Sequence, residues 1–308
     1  MTVGLRHVLF CDLDGTLVLD NSFHIFLSAL WSAAGPAGRA SLALALGLRL
    51  AGRAGGGHRG MKRRVMGWFA RQPVAWQEAV AARTVARLRP TLSRPVLAVL
   101  EEARAAGGTV VLATAAPAVY ARHLAVEIGA AACIASDGTG RGFVERLAGA
   151  KAEACRDLLA ALPGGRTGCV VTVLTDHADD LPLLAMADRI VLQAEAAEAE
   201  SILRRLPDGA GEVTVVDPCA AQAGGGFWLW FDDRPVGPLD VWEVRMALSK
   251  HRHAAIHAGG GRWRRILPGQ ALEPAGRRVD CPRPPSSAAR LGLHLRRRVL
   301  RDFLGIYH

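Results

Sequence analysis

The stretch Val8-Leu9-Phe10-Cys11-Asp12-Leu13-Asp14-Gly15-Thr16-Leu17-Val18 decides the fold of this chain. It is typical of a buried apolar strand that ends at two carboxylates, after which Gly15 and Thr16 turn the chain. Carboxylates at the C-terminal end of a strand lie in the crevice where open α/β sheets bind ligands. Burying two of them is costly unless a cation or hydrogen bonds compensate, and their oxygens suit a hard ion such as Mg²⁺. The stretch therefore predicts a metal site at a sheet edge, against the simpler alternative of an acidic turn.

The composition predicts a globular protein of two or more domains, because half of the 308 residues are hydrophobic. Of the net charge of +10, residues 201–308 carry +7 (17 basic minus 10 acidic side chains). A basic surface attracts nucleic acid or anionic lipid, but an arginine-rich background explains this excess equally well. We expect no specific nucleic-acid partner.

The six cysteines show no C-x-x-C pairing, which fits reduced, mostly buried thiols. The first core strand begins by Val8, which argues against a signal peptide. No apolar run reaches the roughly 18 residues that a membrane span needs. These features predict a cytoplasmic protein.

Two patterns divide the chain into domains. Residues 21–91 are helical in pattern, and from Pro95 onward strands and helices alternate, which predicts βαβ units and a parallel sheet. We therefore predict an α/β fold: a doubly wound parallel sheet (residues 1–20 and 92–218) with an all-helical cap, residues 21–91, inserted after the first strand. The later predicted strands are 109–113, 132–135, 169–174 and 187–192, and the helices among them are 96–106, 117–129 and 151–162.

Three later segments carry chemistry beside the acid pair. Thr114 follows strand 109–113 and offers a hydroxyl and backbone N–H groups for an anion, although alone it is a helix cap. Lys151 opens the next helix and can reach a phosphate as a point charge, although alone it is an ordinary surface lysine. Strand 169–174 runs into Asp176 and Asp180, a third acidic strand end.

This order of acid pair, small hydroxyl, lysine and acid cluster resembles the haloacid dehalogenase superfamily of phosphohydrolases. The resemblance covers residues 6–200 and is nearest to the phosphoserine-phosphatase-like branch, in which a helical cap follows the first motif. It implies an Mg²⁺-dependent phosphatase acting on a small phosphorylated substrate.

The resemblance assigns catalytic roles residue by residue. Asp12 is the expected nucleophile, which forms an aspartyl-phosphate, and Asp14 the expected general acid and base. Thr114 and Lys151 are expected to hold and neutralise the phosphoryl oxygens. Ala115, next to Thr114, is expected to contribute to substrate binding.

The same resemblance implies a metal site. Asp12, the backbone carbonyl of Asp14, and Asp176 are the expected Mg²⁺ ligands, with Asp180 as a further ligand or support. His177 stands where a small residue is common, so its imidazole is a candidate to crowd or tune this site.

The substrate is expected to be recognised from the cap. Asn21 and Ser22 are candidate substrate-binding residues. The segment Lys62-Arg63-Arg64 either contributes to substrate recognition or forms a solvated helix face. Asn21 stands where phosphoserine phosphatases carry a glutamate, which argues against phosphoserine. The alternatives are a phosphotransferase on the same fold, or a phosphatase-like scaffold that recruits partners.

The C-terminal third is predicted to be an add-on. Residues 225–270 form an expected small α+β module that loosely resembles a GYF-like domain, with two strands about a turn in 227–239 and a helix over 241–250. Such a module binds a protein or peptide partner, unless its aromatic residues form its own core. Residues 271–290 are a predicted linker. Residues 291–308 are a predicted basic amphipathic helix, able to contact a membrane surface.

Overall fold

The computed structural model describes most of the chain up to Val216 and short pieces beyond it. The described ranges are 5–18, 20–47, 57–139, 142–194, 196–207, 209–216, 227–231, 234–239, 244, 255–257 and 264–265. The predicted linker (271–290) and terminal helix (291–308) lie outside these residues, and so does the predicted helix 241–250 apart from Val244.

A six-stranded parallel sheet forms the centre of the fold, with strand order β3-β2-β1-β4-β5-β6. Val8 of β1 pairs with Thr109 on one side and with Val171 on the other. Because β1 lies in the middle, its residues 8–11 are fully buried, as their apolar run predicts. The predicted α/β class and parallel sheet are confirmed. The strands are β1 (Arg6–Cys11), β2 (Thr109–Pro117), β3 (Ala132–Ser136), β4 (Cys169–Thr175), β5 (Arg189–Gln193) and β6 (Glu212–Val216).

Among the described residues five α-helices separate β1 from β2, and the first four of them form the cap. The cap helices are α1 (Ser22–Ala33), α2 (Pro36–Gly47), α3 (Gly57–Phe69) and α4 (Val74–Leu88). Their aromatic side chains pack on one another, since the Phe26 ring lies 5.3 Å from Phe69 and 5.2 Å from Tyr120 of the core. Among the described residues no helix is long and apolar enough to cross a membrane.

The remaining helices cover the two faces of the sheet. They are α5 (Arg94–Ala105), α6 (Ala118–Glu127), α7 (Gly149–Ala161), α8 (Leu181–Leu184) and α9 (Ala196–Leu203). Leu100 and Leu124 pack with the cap into one apolar cluster, and Leu159 and Leu184 belong to a second cluster. Two core layers around one sheet give the doubly wound arrangement.

Two strands differ from the prediction. β6 was not expected, because as an edge strand it is largely exposed and lacks a buried apolar run. β2 continues past Ala113 to Pro117, so Thr114 belongs to the strand end rather than to a helix cap.

A second, antiparallel sheet lies in residues 227–265, in the order β10-β9-β7-β8. Its strands are β7 (Phe227–Phe231), β8 (Arg234–Leu239), β9 (Ala255–His257) and β10 (Arg264–Arg265). β7 and β8 agree with the two strands expected about a turn in 227–239.

Candidate active site

Lys151 joins two of the predicted acidic residues at the C-terminal edge of the sheet. Its Nζ donates to Asp12 Oδ1 at 2.8 Å and to Asp180 Oδ2 at 2.8 Å. Lys151 is 3% exposed, so it is not the surface lysine of the simpler interpretation. Burial lowers the pKa of Lys151, but the charges of Asp12 and Asp180 raise it above its usual range, so that the lysine is charged at neutral pH.

Asp180 has a neighbour at each carboxylate oxygen, although its buried Oδ1 accepts no hydrogen bond from the described residues. Lys151 Nζ lies 2.7 Å from Oδ1, and the Thr175 hydroxyl donates to Oδ2 at 2.7 Å. In this arrangement Asp180 orients and neutralises the lysine. Its direct coordination of a metal stays a prediction.

Asp176 lies against the turn that follows the acid pair. The Thr16 hydroxyl donates to Asp176 Oδ1 at 2.9 Å. Gly15 has a φ of +83°, and a Cβ at this position would overlap the Asp176 carboxylate. The glycine is therefore required both for the turn and for the close approach of Asp176.

The carboxylates make this edge of the sheet strongly negative. Burial and the charge of Asp180 raise the pKa of Asp12 to about 6, against the opposing effect of Lys151. Burial and the charge of Asp12 raise the pKa of Asp176 well above its usual range. One lysine does not balance these groups, so the donor set fits a hard divalent cation such as Mg²⁺.

The same donor set limits how a cation would be held. The described residues contain no group of three or more His, Cys, Asp or Glu side chains arranged for a metal. The predicted ligand set of Asp12, the backbone carbonyl of Asp14, and Asp176, with Asp180 as a further ligand or support, stays a prediction.

Asp14 contacts the first residue of the cap helix α1. The Ser22 N–H donates to Asp14 Oδ1 at 2.5 Å. Burial raises the pKa of Asp14, and the hydrogen bonds from Ser22 partly offset this rise. Asn21 is the N-cap of α1, since its side-chain oxygen accepts from the His24 N–H at 3.1 Å. Recognition of substrate by Asn21 stays a prediction.

The segment after Thr114 is held rigidly. The buried Thr114 hydroxyl accepts the Ala116 N–H at 3.0 Å, so this N–H is not free for an anion as we had expected. The Ala115 carbonyl accepts from the Ser136 hydroxyl at 2.8 Å and from Lys62 Nζ at 3.2 Å.

The basic cluster of α3 divides between core and surface. Lys62 is 7% exposed and pairs with Glu145 at 3.1 Å, which ties the cap to the loop after β3. Arg63 is exposed. The solvated-face interpretation is therefore wrong for Lys62 and correct for Arg63.

His177 does not crowd the carboxylates. Its side chain is 60% exposed, and its Nδ1 accepts the Asp179 N–H at 3.1 Å. The imidazole therefore caps the short helix at residues 178–180.

Sequence reasoning missed three polar residues that support the site. Thr175 holds Asp180, Tyr120 contacts Ser22, and Gln193 donates to the Gly15 carbonyl at 3.1 Å. Thr175 and Gln193 each follow directly on a predicted strand, so their position at a strand end was a usable signal. Tyr120 lies within a helix, and nothing in its local pattern marks it.

The fold and this edge of the sheet define an α/β enzyme with a carboxylate-based site. The chain belongs to the haloacid dehalogenase-like hydrolase family, whose model matches residues 9–185. This match confirms the family predicted from the four motifs and supports the predicted phosphatase. It ends before residue 225, so the GYF-like resemblance stays a prediction.

Solved structures are similar to this chain, and one of them, with a TM-score above 0.5, shares its fold. A protein of unknown function from Bordetella pertussis Tohama I is 22% identical with a TM-score of 0.53, over 70% of this chain and 99% of that one. A HAD family hydrolase from Salmonella enterica subsp. enterica serovar Typhi is 17% identical with a TM-score of 0.46, over 68% and 69%. A probable phosphoserine phosphatase from Vibrio cholerae is 14% identical with a TM-score of 0.44, over 68% and 60%. No curated protein matches the sequence.

Proposed function

We propose that this protein is an Mg²⁺-dependent phosphomonoesterase that works through an aspartyl-phosphate on Asp12. The observation that carries the proposal is the buried Lys151, whose Nζ lies 2.8 Å from Asp12 Oδ1. A lysine in this position neutralises a phosphoryl oxygen at the moment when the carboxylate attacks phosphorus.

In the first step, an Asp12 oxygen forms a bond to phosphorus and the bond from phosphorus to the leaving oxygen breaks. Asp14 gives its proton to that leaving oxygen. A pKa raised by burial supports this role, because it favours the protonated carboxyl. Thr114 and Lys151 hold the phosphoryl oxygens. Ala115, the residue after Thr114, is proposed to contribute to substrate binding.

In the second step, water attacks phosphorus and gives a proton back to Asp14, and the bond from phosphorus to Asp12 breaks. Asp12, Asp176 and the Asp14 carbonyl are the proposed Mg²⁺ ligands, with Asp180 holding Lys151. Mg²⁺ bound there neutralises charge on the phosphoryl group.

The substrate is proposed to be a small phosphorylated molecule that the cap recognises through Asn21, whereas the fully buried Ser22 donates its N–H to Asp14. A cytoplasmic location is part of this proposal, supported by the unpaired state of the four described cysteines, which are Cys11, Cys133, Cys155 and Cys169.

The test is hydrolysis of p-nitrophenyl phosphate by the purified full chain with and without Mg²⁺. We expect Mg²⁺-dependent turnover that Asp12→Asn abolishes. Asp179→Asn is the matched control, because Asp179 is one residue from Asp180 but its side chain is 57% exposed. A beryllofluoride adduct on Asp12 supports the covalent step, whereas retained turnover in Asp12→Asn contradicts it.

A further inference from the structure

A buried hydrogen-bonded chain connects Asp14 with the interface between the cap and the core. Ser22 is the first residue of α1, and its N–H donates to Asp14 at 2.5 Å. The Ser22 hydroxyl lies 3.0 Å from the hydroxyl of Tyr120 in α6. Both residues are 0% exposed, so water does not replace these contacts.

Packing alone does not account for the Tyr120 hydroxyl. The Tyr120 ring lies 5.2 Å from the ring of Phe26, which stands one helical turn after Ser22 on α1. A phenylalanine would fill this aromatic contact equally well, and a buried hydroxyl is costly unless it is hydrogen-bonded. The hydroxyl therefore acts on its partner, Ser22.

Ser22 in turn acts on Asp14 through its backbone N–H. A helix leaves its first N–H groups unsatisfied, and Asp14 accepts one of them at 2.5 Å. The position of Ser22 thus determines how the carboxyl of Asp14 is oriented.

We propose that Ser22 and Tyr120 are positioning residues for Asp14, which hold its carboxyl in the orientation that delivers a proton to the leaving oxygen. The inference rests on the proposed function of Asp14 as general acid. It adds that the core helix α6 and the cap helix α1 together set the efficiency of proton transfer, without touching the substrate.

The test compares two esters that differ in their need for a proton. Nitrophenolate is a stable leaving group, whereas phenolate is a stronger base and gains more from general acid catalysis. For both esters kcat/KM reports the steps up to formation of the aspartyl-phosphate. We expect Tyr120→Phe to lower kcat/KM for phenyl phosphate about tenfold more than for p-nitrophenyl phosphate.

Further variants separate positioning from general damage. Thr84→Val removes another fully buried hydroxyl, which donates to the Val80 carbonyl at 2.8 Å within the cap, and should change both esters by the same factor. Ser22→Ala should show the same unequal loss of kcat/KM for the two esters as Tyr120→Phe. Ser22→Thr, which keeps a hydroxyl, should show the wild-type ratio of the two kcat/KM values. The double variant of Ser22→Ala with Tyr120→Phe should be no worse than Ser22→Ala alone.

Equal losses for both esters in Tyr120→Phe, or no loss, overturn the positioning role while the phosphatase proposal stands. Wild-type protein that hydrolyses neither ester with Mg²⁺ overturns both. Thermal unfolding of each variant is measured in parallel. A Tyr120→Phe protein that unfolds at the wild-type temperature and loses about tenfold more kcat/KM for phenyl phosphate than for p-nitrophenyl phosphate supports the proposal.

Discussion

Gln193, at the end of β5, donates from its side-chain amide to the backbone carbonyl of Thr16 at 2.6 Å, although the two residues are 177 positions apart. The same amide reaches the Gly15 carbonyl at 3.1 Å, and its oxygen accepts from the Ser93 hydroxyl at 2.9 Å. Gln193 is 0% exposed. The turn that follows the acid pair is therefore held by a residue of β5, which lies two strands away from β1 in the sheet.

Gln193→Ala should lower the free energy of unfolding by about 1–3 kcal/mol, because it leaves buried carbonyls without donors. Activity toward p-nitrophenyl phosphate should fall as well, since the turn positions Asp14. The control is Gln77→Ala on the cap, which also loses a donation to a carbonyl, at 2.8 Å, but at a half-buried position. Denaturant unfolding should show a change within about 0.5 kcal/mol for this control. Equal effects in the two variants would contradict the assignment.

Gly15→Ala should raise the Mg²⁺ concentration needed for half-maximal activity at least tenfold, on the order expected when groups that orient metal ligands are disturbed. The added methyl overlaps the Asp176 carboxylate. Gly107→Ala is the matched control, because Gly107 has a φ of +76° but no atom within 4 Å of the added methyl. Both variants should lose about 1–2 kcal/mol from backbone strain. A Gly15→Ala enzyme with unchanged Mg²⁺ dependence would count against Asp176 as a ligand.

Lys151→Ala should lower the free energy of unfolding by about 3–5 kcal/mol, because it leaves the buried carboxylate of Asp180 without a cation. Turnover should fall by about 10²–10³-fold or more. Adding Asp180→Ala should recover part of the stability without recovering turnover. Stability that does not improve in the double variant would show that the ion pair is not the source of the loss.

The metal-free protein should lose stability as pH rises from about 4 to about 6. The pKa of Asp12 is raised to about 6 from an ordinary value of 3.8, so the folded state binds more protons than the unfolded state across this window. The loss in the free energy of unfolding is of the order of 2–3 kcal/mol and is complete above pH 6. Denaturant unfolding at several pH values in a chelating buffer measures it.

Asp12→Asn removes the ionisable carboxyl. The difference in the free energy of unfolding between the wild type and this variant should therefore change with pH. Added Mg²⁺ should stabilise the wild type most above pH 6, where the carboxylates are ionised. A difference that stays constant from pH 4 to pH 7 would falsify the assigned pKa shift.

The parallel sheet could be predicted because β1 and β4 are largely buried and appear in the sequence as apolar runs, which in β4 only Thr172 interrupts before the strand end. β6 could not, since an edge strand has no such run. Residues 42–46 lie in helix α2, within the stretch 21–91 that is predicted to be helical, although their alternating leucines are typical of a strand.

The chemically distinctive part of the site could also be predicted, because carboxylates at the ends of apolar strands, with a lysine at the start of a following helix, are rare for structural reasons. Residues that hold this chemistry in place could not. Tyr120 is ordinary inside a helix, and its partner Ser22 lies 98 positions away. Gln193 stands at a predicted strand end, but its contact with Thr16, 177 positions away, is a tertiary contact that no local pattern encodes.

The central position of β1 has a consequence during synthesis. Val8 leaves the ribosome before its partner Thr109, roughly 100 residues later, and before Val171 on its other side. At typical elongation rates the first interval is about 5–20 s. Throughout it, the strand that carries the nucleophile has no native neighbour, while the intervening residues emerge as helices that fold from local contacts. The nascent chain therefore depends on the early cap helices or on chaperones to shield this strand from aggregation until the second strand arrives.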